Sequence, residues 1–235
     1  MRFRGFSAVP LTLPLLFVSA LFLSASVAIA APVKRAPATP AAAATSAKAI
    51  APAPLKGTAT ATFAGGCFWC MEPPFEALPG VVSVTSGFSG GMERNPTYEE
   101  VSASKTGHAE SIQVLYDPKR ISYDQLLRVY WHNVDPTSGD GQFCDRGHQY
   151  RPVIFYNGAA ERRLAEDSRA RAAKELLVKK PIVVQIVPFM AFWPAEDYHQ
   201  DYYRKNPEHY HAYRTGCGRD LRLRELWGDA AAAHH

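Results

Sequence analysis

Short strand-like runs alternate here with two or three helical ones, on too few residues for a large doubly wound sheet, and that pattern predicts an α+β domain. Helices on one face of a mixed sheet, a two-layer sandwich of the ferredoxin-like kind, fit it best. A third observation bounds the domain: the first fifty or so of the 235 residues carry no such alternation.

Those first residues have their own signals. Two arginines fall within Met1 to Arg4, residues 10–29 (PLTLPLLFVSALFLSASVAI) are almost continuously apolar, and Ala28-Ile29-Ala30 gives the small-x-small pattern that signal peptidase accepts. A signal peptide over residues 1–30 is expected, which makes the protein exported, to the periplasm. The alternative is an uncleaved N-terminal membrane anchor, since a bilayer takes roughly 20 apolar residues. Residues 31–57 are dominated by Ala and Pro with a few lysines, a composition that buries no core and serves as a linker. The globular domain is left with residues 58–235. Removing residues 1–30 takes away Arg2 and Arg4 and no acid, so the formal charge falls from +4 to +2. So small a charge argues against nucleic acid or an anionic membrane surface as partner.

Within the domain, Ala59 to Phe63 has the small and β-branched character of a strand, and Gly65-Gly66 let the chain turn sharply. Cys67 then opens a short helix, CMEPPFEALPG; Pro73 and Pro74 suit only a first turn, which places the helix start close to Cys67. Val81 to Phe88 alternates as a strand, followed by a Gly-rich loop carrying Asn95 to Tyr98. His108 to Tyr116 is a further strand, stopped by Asp117-Pro118. Ser122 caps a helix whose Leu126, Leu127, Tyr130 and Trp131 recur at helical spacing. Residues 135–148 are turn formers around a cysteine and two aspartates, and Arg151 to Tyr156 is again a strand. Ala159 to Val178 reads as a long charged surface helix, and Ile182 to Val187 as a buried strand. From Phe189 onward aromatic and histidine residues crowd together.

All four cysteines, Cys67, Cys70, Cys144 and Cys217, lie in the domain. An exported protein invites two structural disulfides, but a domain of this length does not need staples. A cysteine at a helix start sits where unpaired N–H groups and the dipole stabilise a thiolate, so Cys67 reads as a nucleophile. The preceding glycines would let substrate approach the backbone, and Phe68-Trp69 would wall the sulfur with apolar surface suited to a methyl-bearing, weakly polar substrate. A zinc site lacks a second CxxC, a thioredoxin-like pair usually encloses smaller residues, and a disulfide closing so short a loop adds little stability. His199, His209 and His211 read as packing and hydrogen-bonding groups rather than metal ligands, leaving no metal site.

GGCFWC followed by MEPPFEALPGVVSVTSGFSGG, then NPTYEEV, GHAESIQVLYD, DRGHQYRPVIFY and EDYHQDYYRKNP, resembles the peptide methionine sulfoxide reductase A family from about Ala61 to Trp227. The resemblance implies an enzyme that returns methionine-S-sulfoxide, free or in proteins, to methionine, for repair of oxidised proteins. By that resemblance Cys67 is the attacking cysteine, left as a sulfenic acid. Phe68 and Trp69 are the substrate-binding pair around the methyl group. Glu110 is the acid that protonates the sulfoxide oxygen, a role for which a carboxyl kept neutral by burial is suited. Tyr98 and Tyr150 point hydroxyls at that oxygen, and Asp145 belongs to the same site. No bound cofactor is implied; the external reductant is a thioredoxin-like dithiol, and the chain is a monomer.

One departure concerns the resolving thiol. Many members keep a glycine where Cys70 sits and carry a cysteine after the Asn-Pro-x-x-Tyr segment, where this chain has His211. Cys70 is one helical turn from Cys67, with Cα atoms roughly 5–6 Å apart, and is the expected resolver; Cys217 is the runner-up. A relay through Cys144 and Cys217, or a structural bond between them, are both open. Two other functions compete with the whole reading: a general thiol-disulfide oxidoreductase, and a non-enzymatic exported binding domain with structural disulfides.

Overall fold

The computed structural model describes residues 56–234. The expected signal peptide or anchor (1–30) and residues 31–55 of the expected linker lie outside the described residues.

Strands β1 (Ala59–Ala64), β2 (Val81–Ser89) and β3 (Ala109–Tyr116) build the sheet's centre, flanked by β6 (Val153–Tyr156), β7 (Gln185–Pro188) and β8 (Phe192–Pro194). Two residue pairs, β4 (Gly141–Gln142) and β5 (Asp145–Arg146), form a separate small hairpin. The six-stranded sheet runs β7-β6-β1-β3-β2-β8, antiparallel throughout except for the parallel β6–β7 pair. This is an α+β fold with a mixed sheet.

Helices α1 (Phe68–Glu76) and α3 (Tyr123–His132) supply the main core against one sheet face. Phe63 of β1 pairs with Ile112 of β3 and Ile154 of β6, and its ring stacks on Phe75 of α1 and Tyr130 of α3 at centroid distances of 5.4 and 5.3 Å. Alternation sends the next residue to the opposite face, where Ala64, Ala109, Val153 and Phe155 form a smaller cluster. The cap expected at Ser122 is present, and it is a full capping box: Gln125 N–H donates to Ser122 Oγ (3.2 Å) and Ser122 N–H to Gln125 Oε1 (2.8 Å). A second capping box at Thr97 and Glu100 starts the short α2 (Tyr98–Ser102).

Three expectations are corrected. Pro73 and Pro74 lie in the second turn of α1, where their missing N–H groups leave the Trp69 and Cys70 carbonyls without the usual helical donor. α4 (Gly158–Glu175) stops before Val178 because Leu176 turns extended and Leu177 N–H donates to the Leu226 carbonyl at 2.9 Å. β7 is a shorter, partly exposed edge strand instead of a buried one over 182–187; Val183 N–H is spent on the Pro136 carbonyl. The C-terminal segment forms α5 (Tyr202–Lys205), α6 (Pro207–Gly216) and α7 (Arg219–Trp227).

Candidate active site

The sequence brings a cysteine and a carboxyl together by two local rules. Cys67 occupies the N-cap of α1, so the first helical N–H groups, unpaired within the helix, face forward. Glu110 shares strand parity with Ile112 and Val114, which puts its side chain on the helix-covered face, under that helix start. The two meet: Phe68 N–H donates to Glu110 Oε2 at 3.1 Å. Glu110 is 2% exposed, and burial pushes its carboxyl up to about 8 against the lesser pull of that N–H bond. At neutral pH it is a protonated acid.

Around them a small cavity of about 90 Å³ is lined by Cys67, Phe68, Trp69, Tyr98, Glu110, Asp145, Tyr150 and Tyr213. Every catalytic and substrate-contact residue named from the sequence is in that wall. Tyr98 begins α2, Tyr150 ends a 3-10 turn over His148–Tyr150, and Asp145 comes from the β4–β5 hairpin. Burial, followed by the neighbouring Glu110, holds both tyrosine hydroxyls protonated, so they act as donors. Asp145 is raised by burial and drawn back by the hydrogen bond from Tyr213 and by Arg219. The wider grooves of the described residues, including one of about 710 Å³ between α1 and α6, lack this convergence of groups.

Phe68 is buried against Phe88, Tyr98 and His199, with centroids 6.0, 6.5 and 5.0 Å away. Trp69 is half-buried, stacked on Tyr202 at 3.7 Å and 7°, with its indole N–H donated to His199 Nδ1 at 3.0 Å. Burial lowers His199 to about 4, so the ring is neutral and free to accept that bond. His199 is thus a packing and hydrogen-bonding group, as expected, and it fixes the tryptophan. His209 lies 3.1 Å from the Tyr202 hydroxyl through its Nδ1 and sets its ring edge-on to Trp69.

Two expectations about Cys67 are corrected. The helix start does not hold it as a thiolate: burial comes first among the causes that push its thiol well above the ordinary value, with Cys70, Glu110 and Asp145 adding to it. Gly65 and Gly66 admit protein, not substrate. A Cβ on Gly65 would lie 2.7 Å from the Met71 side chain and one on Gly66, at φ +81°, 2.5 Å from Gln142.

Cys70 is 1% exposed, one turn into α1, with its N–H donated to the Cys67 carbonyl at 3.0 Å. Its thiol is lowered first by the hydrogen bond with Cys67, then, against burial, by Arg219 and Arg214. Cys144 and Cys217 are joined in a disulfide with Cα atoms 4.8 Å apart, so Cys67 and Cys70 are the free pair and Cys217 holds no thiol in this state. Among the described residues the one cluster with metal-ligand types is Cys144, Asp145 and Cys217, whose two sulfurs are already bonded to each other.

Sequence reasoning missed Tyr213, Tyr202 and Arg219. Tyr213 lines the cavity and donates its hydroxyl to Asp145 Oδ2 at 2.5 Å, while Cys217 N–H bonds the Tyr213 carbonyl at 2.9 Å. Tyr202 and Tyr213 sit in the aromatic, histidine-rich tail, where no short-range spacing separates a pocket residue from a packing one, and Arg219 reads as one of several surface arginines in RDLRLREL.

A free cysteine beside a neutral carboxylic acid, under two phenol donors and an aromatic floor, defines a thiol-dependent oxidoreductase that acts on a small, weakly polar group. The family model for peptide methionine sulfoxide reductase matches residues 59–231. MsrA 2 of Caulobacter vibrioides is 52% identical over 171 residues, 73% of this chain and 86% of that protein. MsrA 2 of Staphylococcus aureus strain Mu50 is 48% identical over 172 residues, 73% of this chain and 97% of its own. Among solved structures, methionine sulfoxide reductase A of Corynebacterium diphtheriae aligns with TM-score 0.59 and 34% identity, covering 65% of this chain and 77% of that one. The chain belongs to the peptide methionine sulfoxide reductase A family and is a peptide-methionine (S)-S-oxide reductase.

Proposed function

We propose that this enzyme reduces methionine-S-sulfoxide, free and in proteins, by attack of Cys67 on the sulfoxide sulfur, with Cys70 resolving the product. The observation that carries it is the single cavity in which the Cys67 thiol and the neutral Glu110 carboxyl face the same space. Phe68 and Trp69 receive the methyl group. As the sulfur of Cys67 attacks, Glu110 gives its proton to the oxygen, and the Tyr98 and Tyr150 hydroxyls stabilise charge growing there. The thiol proton of Cys67 reprotonates Glu110. The sulfoxide S–O bond breaks as its protonated oxygen passes to the Cys67 sulfur, so methionine leaves reduced and Cys67 is oxidised to a sulfenic acid. Asp145, held by Tyr213, orders water and substrate at the rim.

Cys70 then displaces the oxygen as water, giving a Cys67–Cys70 disulfide that a thioredoxin-like dithiol reduces from outside. The N-terminal signal supports work outside the cytoplasm, in repair of oxidised proteins, with a cleaved leader favoured over an anchor by the small residues at its end. The enzyme works as a monomer, since each chain brings its own attacking and resolving thiols. The ferredoxin-like reading of the core is supported by the order β6-β1-β3-β2 with every neighbouring pair antiparallel.

The test is reduction of free and peptide-bound methionine-S-sulfoxide with dithiothreitol, wild type against Cys67→Ser. Activity is expected to vanish in the variant; retained activity sinks the proposal. An insulin-reduction assay separates it from a general disulfide oxidoreductase, which would reduce insulin and ignore the sulfoxide.

A further inference from the structure

The resolving step asks for a thiolate at Cys70, and the molecule keeps an unusual cation beside it. Arg219 is the largest side chain among those fully buried, at 1% exposure. Its Nη2 donates to the carbonyls of Asn133 (2.7 Å) and Gly65 (3.2 Å) and lies 3.1 Å from the Met71 sulfur, so the guanidinium sits against the segment that carries both active-site cysteines. The ring of Phe143, at the tip of the β4–β5 hairpin, is 4.4 Å from its central carbon.

None of those partners is an anion. Among the described residues Asp220 pairs with Arg214 and Asp135 with Arg222, while Asp145, on which Arg219 also acts, takes its hydrogen bond from Tyr213. Arg219 Nε is buried with no hydrogen-bond partner. A buried cation whose hydrogen-bond partners are all neutral is costly, and a negative charge formed beside it offsets that cost. The groups that act electrostatically on Cys70 are Cys67, Arg219, Arg214 and Asp145, and Cys70 in turn acts on Glu110, Tyr210 and Tyr213. Cys67 and Glu110 are neutral at rest, Arg214 is neutralised by Asp220, and Asp145 opposes a thiolate. Of the two cations acting on Cys70, Arg219 acts more strongly, and all its hydrogen-bond partners are neutral.

We propose that Arg219 is the positioning residue of the resolving step, its buried guanidinium stabilising the Cys70 thiolate as that thiolate attacks the sulfenic sulfur of Cys67. The proposal rests on Cys70 being the resolver. In the step, the Cys70 thiol releases its proton, its sulfur forms the S–S bond, and the S–O bond of Cys67 breaks. The departing hydroxide takes up one proton and leaves as water; the Cys70 sulfur is oxidised and that of Cys67 reduced. The Cys144–Cys217 disulfide and the Phe143 contact both fasten the hairpin tip to the turn before Arg219, which holds the cation in register.

The experiment is a single turnover without reductant, in which sulfenic acid is trapped with dimedone and thiol loss is followed against pH. In R219Q the sulfenic acid is expected to accumulate, disulfide formation to slow by about tenfold or more at pH 7, and its pH midpoint to rise by about a unit or more. R219K is expected to restore most of the rate. Disulfide formation in R219Q at the wild-type rate and pH midpoint overturns the role of Arg219 while leaving Cys70 as resolver. A wild-type product mapped as Cys67–Cys217 overturns the resolver and this proposal with it. Should R219Q not fold, the ultraviolet thiolate titration of Cys70 in C67S against C67S/R219M decides: a higher midpoint in the double variant is expected, and equal midpoints overturn the proposal.

Discussion

Replacing Glu110 by glutamine is expected to disable the enzyme and stabilise it at once. The carboxyl is 2% exposed, and burial raises it from an ordinary 4.5 to about 8. Between those values the folded protein binds a proton that the unfolded chain has lost, so stability falls as pH rises from 4.5 to 8. At pH 7 the gap is 2.5 units from the ordinary value, which at about 1.4 kcal/mol per unit amounts to roughly 3 kcal/mol as an upper bound. Glutamine does not titrate, and its carbonyl can still accept the Phe68 N–H bond now made to Oε2 at 3.1 Å. E110Q is therefore expected to gain up to about 3 kcal/mol at pH 7 and almost nothing at pH 4.5, by urea unfolding at both pH values. Activity is expected to fall by about 10² to 10⁴, the usual worth of a positioned general acid. In the wild type, activity should fall as pH rises through about 8, where Glu110 ionises. A variant with no pH-dependent gain in stability, or one that keeps wild-type turnover, would refute the reasoning.

Y213F removes the hydroxyl that donates to Asp145; loss of a hydrogen bond to a charged group, worth about 1.5–3 kcal/mol, should lower kcat/KM by about tenfold or more without loss of fold, checked by steady-state kinetics. C217S opens a disulfide spanning 73 residues and should lower unfolding free energy by about 2–4 kcal/mol, read by denaturant titration, while single-turnover methionine release persists. W69A strips the stack on Tyr202 and the bond to His199, and is expected to raise KM for the sulfoxide more than it lowers kcat.

The central strands β1, β2, β3 and β6 and helix α3 were legible because their cues are local. Ser122 with Gln125 is a capping box in any context, and the alternation through Ile112 and Val114 survives burial because a neighbouring strand enforces it. Only the family resemblance pointed to a buried Glu110, since a lone glutamate on such a strand more often faces water. What stayed hidden depends on contacts far apart in the chain. The Cys67 thiol is set by enclosure, which outweighs the helix start that the sequence displays. Tyr213 and Arg219 reach the site only because α6 and α7 fold back over residues 65–71 and the hairpin at 141–146. The end of α4 was misplaced because a backbone bond from Leu177 to Leu226 takes the chain out of its helix.

Everything above turns on Cys67 taking the sulfoxide oxygen inside this cavity. The decisive measurement uses C70S, one equivalent of a peptide containing methionine-S-sulfoxide, no reductant, and dimedone, followed by peptide mapping and quantitation of the reduced peptide. One reduced peptide per chain is expected, with a matching dimedone adduct on Cys67 and on no other cysteine. Reduced peptide without an adduct on Cys67, or an adduct placed elsewhere, would contradict it.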